Sequence, residues 1–261
     1  MEAHICTSTG LALVSSPVLV LRTAKTSYGP LDPLMRQDGE DRESWSRYDT
    51  IGRTLYAADS RLTAYMELLA PFRTEVGQKR RALKPVADFM GMHLDKLWDQ
   101  VVAEWDEAGN MKATWLPRAF REGRALYDLR FPDGWWVDVE STETISALNG
   151  LFPDGFPTAS GSRIEHLTLS NLTSDDRVLT TAIASALRDV IELDDGSLPL
   201  GIKFTSKHGH PSGRSGGCWA YWMRAKDSGL TELAEVLGET AVEESDDDLR
   251  AAMAHCKIKT R

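Results

Sequence analysis

With 261 residues, 42% hydrophobic and 26% charged, the chain has the composition of a globular protein. At this length it can bury roughly three-quarters of its unfolded surface. Thirty Lys and Arg against 39 Asp and Glu leave a formal net charge of −9. That balance repels phosphate backbones and anionic headgroups, so nucleic acid and membrane are not expected as partners, although a local basic cleft for one small anion is compatible with it. Cys6, Cys218 and Cys256 are odd in number and far apart. They suggest reduced thiols in a cytoplasm rather than a disulfide framework or a zinc site.

The apolar run 11–21 lacks a basic leader and is too short and interrupted to span a bilayer. Its second half, 18–21, is expected to be a buried strand ending at Arg22, followed from Gly29-Pro30 through 31–43 by a polar loop. A short strand at 54–57 leads to Asp59 or Ser60, either of which can cap a helix starting at Arg61. Leu62, Tyr65, Met66 and Leu69 form that helix's inward stripe, Glu67 projects from the opposite side, and Pro71 is expected to stop it.

Val86, Phe89, Met90, Leu94, Leu97, Val101 and Trp105 keep helical spacing in a charged background, which predicts an amphipathic helical insertion at about 76–123, its main run closed by Gly109-Asn110. Two strands, 124–130 and 136–139, are joined by the turn sequence Pro132-Asp133-Gly134. The clearest helix begins at Ser174, with Asp175 and Asp176 at its positive dipole end. Its expected buried stripe is Val178, Leu179, Ala182, Ile183, Ala186, Leu187, Val190 and Ile191.

Residues 200–204 read as a strand with Ser206 at its end, and 218–223 as another beyond the glycine-rich loop 208–217. The loop lacks the P-loop spacing and reads as a surface connection. His208, His210 and Cys218 lack a fourth ligand, so no metal is expected. The acidic run 243–248 reads as a solvated tail face.

Arg47-Tyr48-Asp49, then Gly52-Arg53-Thr54-Leu55-Tyr56-Ala57-Ala58, Ala64 and Glu67, together resemble the RES-domain family, named for its arginine, glutamate and serine. Gly201-Ile202-Lys203-Phe204-Thr205-Ser206 is similar to that family's serine segment, Cys218-Trp219-Ala220 to the strand after it, and Leu21-Arg22 to its opening arginine. The resemblance runs in order over most of the chain. It implies a single α+β domain over 1–261, with a split antiparallel β-sheet core like that of ADP-ribosyltransferases, flanking helices and the insertion. It also implies an NAD-degrading toxin of a toxin–antitoxin pair. NAD is then a substrate rather than a retained cofactor, and the partner is a small helical DNA-binding antitoxin.

Nicotinamide leaves ribose through a transition state of oxocarbenium character, which a carboxylate beside the sugar stabilises as the bond breaks. Glu67 is the candidate for that role. Arg47 and Arg22 would grip pyrophosphate or ribose, with Arg53 a third contender, because a guanidinium donates paired hydrogen bonds and stays charged. Tyr56 would stack on the nicotinamide or ribose while its hydroxyl positions Glu67 or the substrate. Ser206 would orient the glutamate or bond the ribose; no histidine base marks it as a nucleophile. Two other readings stand beside hydrolysis or phosphorolysis: an ADP-ribosyltransferase acting on a protein or small molecule, and a partner-binding protein without chemistry.

Overall fold

The computed structural model describes residues 2–15, 18–109, 114–210 and 216–260. In the first part of the chain the strands are β1 (Ala3–Ile5), β2 (Ala12–Ser15), β3 (Leu19–Lys25), β4 (Met35–Arg36) and β5 (Gly52–Ala58). The helices α1 (Arg61–Ala82), α2 (Lys84–Phe89) and α3 (Leu94–Glu107) come next, then β6 (Trp115–Leu116) and α4 (Arg118–Glu122). Strands β7 (Arg124–Arg130) and β8 (Trp135–Asp138) precede α5 (Thr142–Leu151), β9 (Phe156–Pro157), β10 (Arg163–Ile164), α6 (Leu169–Leu172) and α7 (Arg177–Asp189). The chain continues with β11 (Gly201–Thr205), β12 (Gly217–Trp222), α8 (Arg224–Asp227), β13 (Glu235–Ala241), α9 (Asp247–Cys256) and β14 (Lys259–Thr260).

Ten strands form one sheet in the order β1-β2-β8-β11-β12-β5-β3-β7-β13, with β4 added on β5. Every neighbouring pair is antiparallel except β8 with β11. The fold is thus α+β, built on a large, mostly antiparallel sheet with helices. Its centre is unevenly joined: β12 and β5 share five register pairs and β3 and β7 share seven, yet β3 meets β5 only at Leu21 and Ala58. Beyond that pair the strands part and leave room for a ligand.

Both sheet faces are buried. Tyr65, Leu69, Ile183, Leu187, Ile202 and Phe204 belong to the core beneath the helices. Leu55, Leu129, Phe131, Trp136, Trp219 and Tyr221 fill the other side, where Phe131 stacks within 5.0 Å of Trp136 and 4.9 Å of Tyr221. All six residues of β12 are buried, which explains the unbroken apolar run from Cys218. No helix among the described residues is long and apolar enough to cross a membrane.

Several local expectations change. Pro71 lies inside α1 and does not end it. The proline leaves the Glu67 carbonyl without the usual helical N–H, but Tyr65, Leu69 and Ala70 before it and the partly buried Phe72 and Val76 after it pack against the core and hold the helix on both sides. The stretch 76–123 is largely helical, beginning as the last two turns of α1; Asn110 falls outside the described residues. Arg22 is at the middle of β3 and not at a strand end.

The segments β7 and β8 are strands, but they do not pair with each other. Phe131, fully buried between them, donates its N–H to the Val18 carbonyl, and the chain passes to the other side of the sheet, where β8 joins β2 and β11. Helix α7 is capped by Asp176, which accepts from Leu179 N at 3.0 Å, rather than by Ser174, whose hydroxyl donates to the Asn171 carbonyl. Its buried face includes Thr180, Thr181 and Ala184, while Val190 is exposed. The acidic run is partly structural: Asp246 caps α9 and receives Tyr65 Oη at 3.1 Å and Arg61 at 3.3 Å, tying α9 to α1.

Candidate active site

The parting of β3 from β5 opens a cavity of about 760 Å³, within the range typical of small-molecule sites. Arg22 and Thr23 line it from β3, Tyr56 and Ala57 from β5, and Glu67, Pro71, Glu75 and Gln78 from one face of α1. The opening also explains Arg22. Where no strand ladder continues, its Nη1 donates to the Tyr56 carbonyl at 2.7 Å, and its buried Nε has no partner among the described residues. Burial lowers the Arg22 pKa to about 10.

Glu67 faces this cavity, since the apolar stripe of α1 occupies the opposite side of the helix. Ser206, buried just beyond β11, donates its hydroxyl to Glu67 Oε1 at 2.6 Å and accepts the His208 N–H at 3.2 Å. The pair is separated by 139 residues in sequence. It fixes the orientation of one carboxylate oxygen.

Arg47 precedes β5 on the loop carrying Trp45 and Ser46 into the cavity wall. Its side chain is buried, with the guanidinium 5.3 Å from the Phe204 ring and 5.9 Å from that of Tyr48, and its Nε and Nη1 have no partner among the described residues. A buried guanidinium with unused donors is costly to leave alone. An anionic ligand would complete it. Arg53 does not join the site: its backbone N–H and Nη1 are bound to Asp227 on α8.

Tyr56 presents its ring to the cavity, but its hydroxyl is used elsewhere. It donates to Asp49 Oδ1 at 2.9 Å and accepts the Tyr48 N–H at 3.0 Å, so it touches neither Glu67 nor the open space. Burial and the Asp49 charge raise the Tyr56 pKa well above its ordinary value. Asp49 also receives Arg36 Nε and Ser46 N at 2.9 Å, fixing the loop that bears Arg47.

The rim adds groups that the sequence did not single out. Arg177, the first residue of α7, donates to Asp175 at 3.1 Å and keeps a buried Nη1 without partner among the described residues, while Lys207 pairs with Asp175 as well. No signal in the sequence marks Arg177. Glu75 and Gln78 continue the Glu67 face at eight and eleven residues further on, a relation hidden when Pro71 is taken as the helix end. His208 is pushed to lower pKa by burial, which outweighs the opposing pull of Glu67. The stretch 211–215 of the glycine-rich loop lies outside the described residues. Among the described residues no group of His, Cys, Asp and Glu could hold a metal ion.

No protein-family model matches the chain, and no curated protein does. Among solved structures it is similar to the crystal structure of the M.tuberculosis MbcT-MbcA toxin-antitoxin complex, with 9% identity, a TM-score of 0.42, and coverage of 94% of this chain and 92% of that chain. So distant a likeness assigns neither an activity nor a partner.

Proposed function

We propose that the chain, as one domain, is an NAD-consuming toxin that cleaves the nicotinamide–ribose bond. The observation that carries this reading is Glu67, held by the Ser206 hydroxyl at 2.6 Å from behind, in the wall of a 760 Å³ cavity that also takes in the incompletely bonded guanidiniums of Arg22 and Arg47. In this scheme Arg47 holds the pyrophosphate, with Arg22 at the neighbouring ribose, and the Tyr56 ring supports the nicotinamide riboside from the side.

The C1′–N bond breaks with its electron pair leaving on nicotinamide, and the Glu67 carboxylate stabilises the positive charge that grows on the ribose. Ser206 holds that carboxylate in place. Water or phosphate then bonds to C1′ and gives up a proton to solvent. The motif resemblance supplies the toxin role and the cognate antitoxin, a small helical DNA-binding protein that would cover the cleft, as part of the same proposal.

Incubating the purified chain with NAD labelled in its adenylate half tests the reaction and the acceptor together. Release of nicotinamide with labelled ADP-ribose or its phosphate is expected. Label transferred to protein in a lysate would favour the ADP-ribosyltransferase alternative, and intact NAD throughout would sink both.

A further inference from the structure

A second cavity, about 480 Å³, lies between α1 and α9 on the far side of the segment that follows Ser206. Its described walls include Arg73, Gly77 and Arg81 from α1, His255 and Cys256 from α9, and Lys207, with no Asp or Glu among them. That is unusual in a chain whose formal charge is −9. We infer that this cavity is a second anion site, built for a compact diphosphate-class ligand. The inference stands on charge and shape alone and does not rest on the NAD reading.

The pairing of cations along α1 makes the case. Arg61 bonds Asp246, Lys79 bonds Glu75 at 2.7 Å and Arg80 bonds Asp95. Arg73 and Arg81, the two that line the cavity, have no carboxylate partner among the described residues. They are eight residues apart with Gly77 midway, so all three fall within an arc of about 80° on one helix face, the arginines about 12 Å apart along the axis. Side chains of arginine length can converge from that separation on two linked phosphates, each guanidinium offering a planar pair of donors.

Gly77 supplies the space between them: a Cβ there would meet nothing within 4 Å. Across the gap His255 Nε2 contacts the His208 carbonyl at 3.1 Å, bracing the opposite wall. Lys207 is shared, because its ammonium pairs with Asp175 at the rim of the first cavity. A diphosphate in the second cavity therefore competes with Asp175 for Lys207.

Calorimetric titration of the full chain with inorganic pyrophosphate tests this. Binding is expected in the wild type. Gly77→Glu, which sets a carboxylate between the two arginines and replaces glycine with a better helix former, should weaken it about tenfold or more, as should Arg73→Gln combined with Arg81→Gln. Arg47→Gln, altered only at the first cavity, should keep it. A nucleoside diphosphate binding more tightly than pyrophosphate assigns a nucleotide to the cavity and equal affinity a free diphosphate; either result keeps the site. No binding by the wild type overturns it. So does unchanged affinity in Gly77→Glu with a native circular-dichroism spectrum, or loss of binding in Arg47→Gln.

Discussion

Ser206 shows what one hydroxyl does at a distance of 139 residues in sequence. A hydrogen bond to a charged group is worth about 1.5–3 kcal/mol, so Ser206→Ala should lower kcat by roughly tenfold to a hundredfold, with KM for NAD moving much less. Equal falls in kcat for Ser206→Ala and for Ser197→Ala, a half-buried serine that does not line the cavity, would deny it the role. Arg22, Arg47, Tyr56 and Glu67 could be picked out from the sequence, and the fold brings all four to one cavity. Their bonding was not legible there. Tyr56 illustrates this: a phenol near a carboxylate suggests that the two meet, but Asp49, seven residues earlier, captures the hydroxyl first. Such local competition leaves no periodicity to read.

Elements whose signals are local came through with small shifts. Ser60 caps α1 by accepting from Thr63 N, as the sequence suggested, and β11 and β12 fall on the expected apolar runs. Ser174, Asp175 and Asp176 are all capping residue types, so composition could not choose among them; backbone geometry gives the role to Asp176. Pairing across the sheet is a long-range matter, and the turn between β7 and β8 says nothing of where each strand goes. Asp246 is a similar case, reading as one more acid in a solvated run while it caps α9 and holds Tyr65 and Arg61. Its loss should cost about 1–2 kcal/mol of stability in urea denaturation of Asp246→Ala, a typical value for a lost N-cap. The neighbouring Asp247, almost fully exposed, should tolerate the same change with little effect.

Across the whole molecule, five of the six tyrosines, Tyr48, Tyr56, Tyr65, Tyr127 and Tyr221, have raised pKa values, with burial the first cause in each. A folded pKa above the unfolded value of about 10 gives stability that is complete below that pH and is lost as pH rises, since the unfolded chain then binds fewer protons than the folded one. Arg22 and Arg224, lowered to about 10 by burial, act in the opposite sense, but they are fewer. At about pH 11 the native chain should show far less tyrosinate absorbance than the same chain in denaturant. Matching absorbance in the two states would contradict the buried arrangement. The same compact core sets the cavity between β3 and β5. Nicotinamide release from NAD should be lost in Glu67→Gln while the variant still folds and binds NAD; a folded Glu67→Gln that turns over NAD at the wild-type rate would contradict the account.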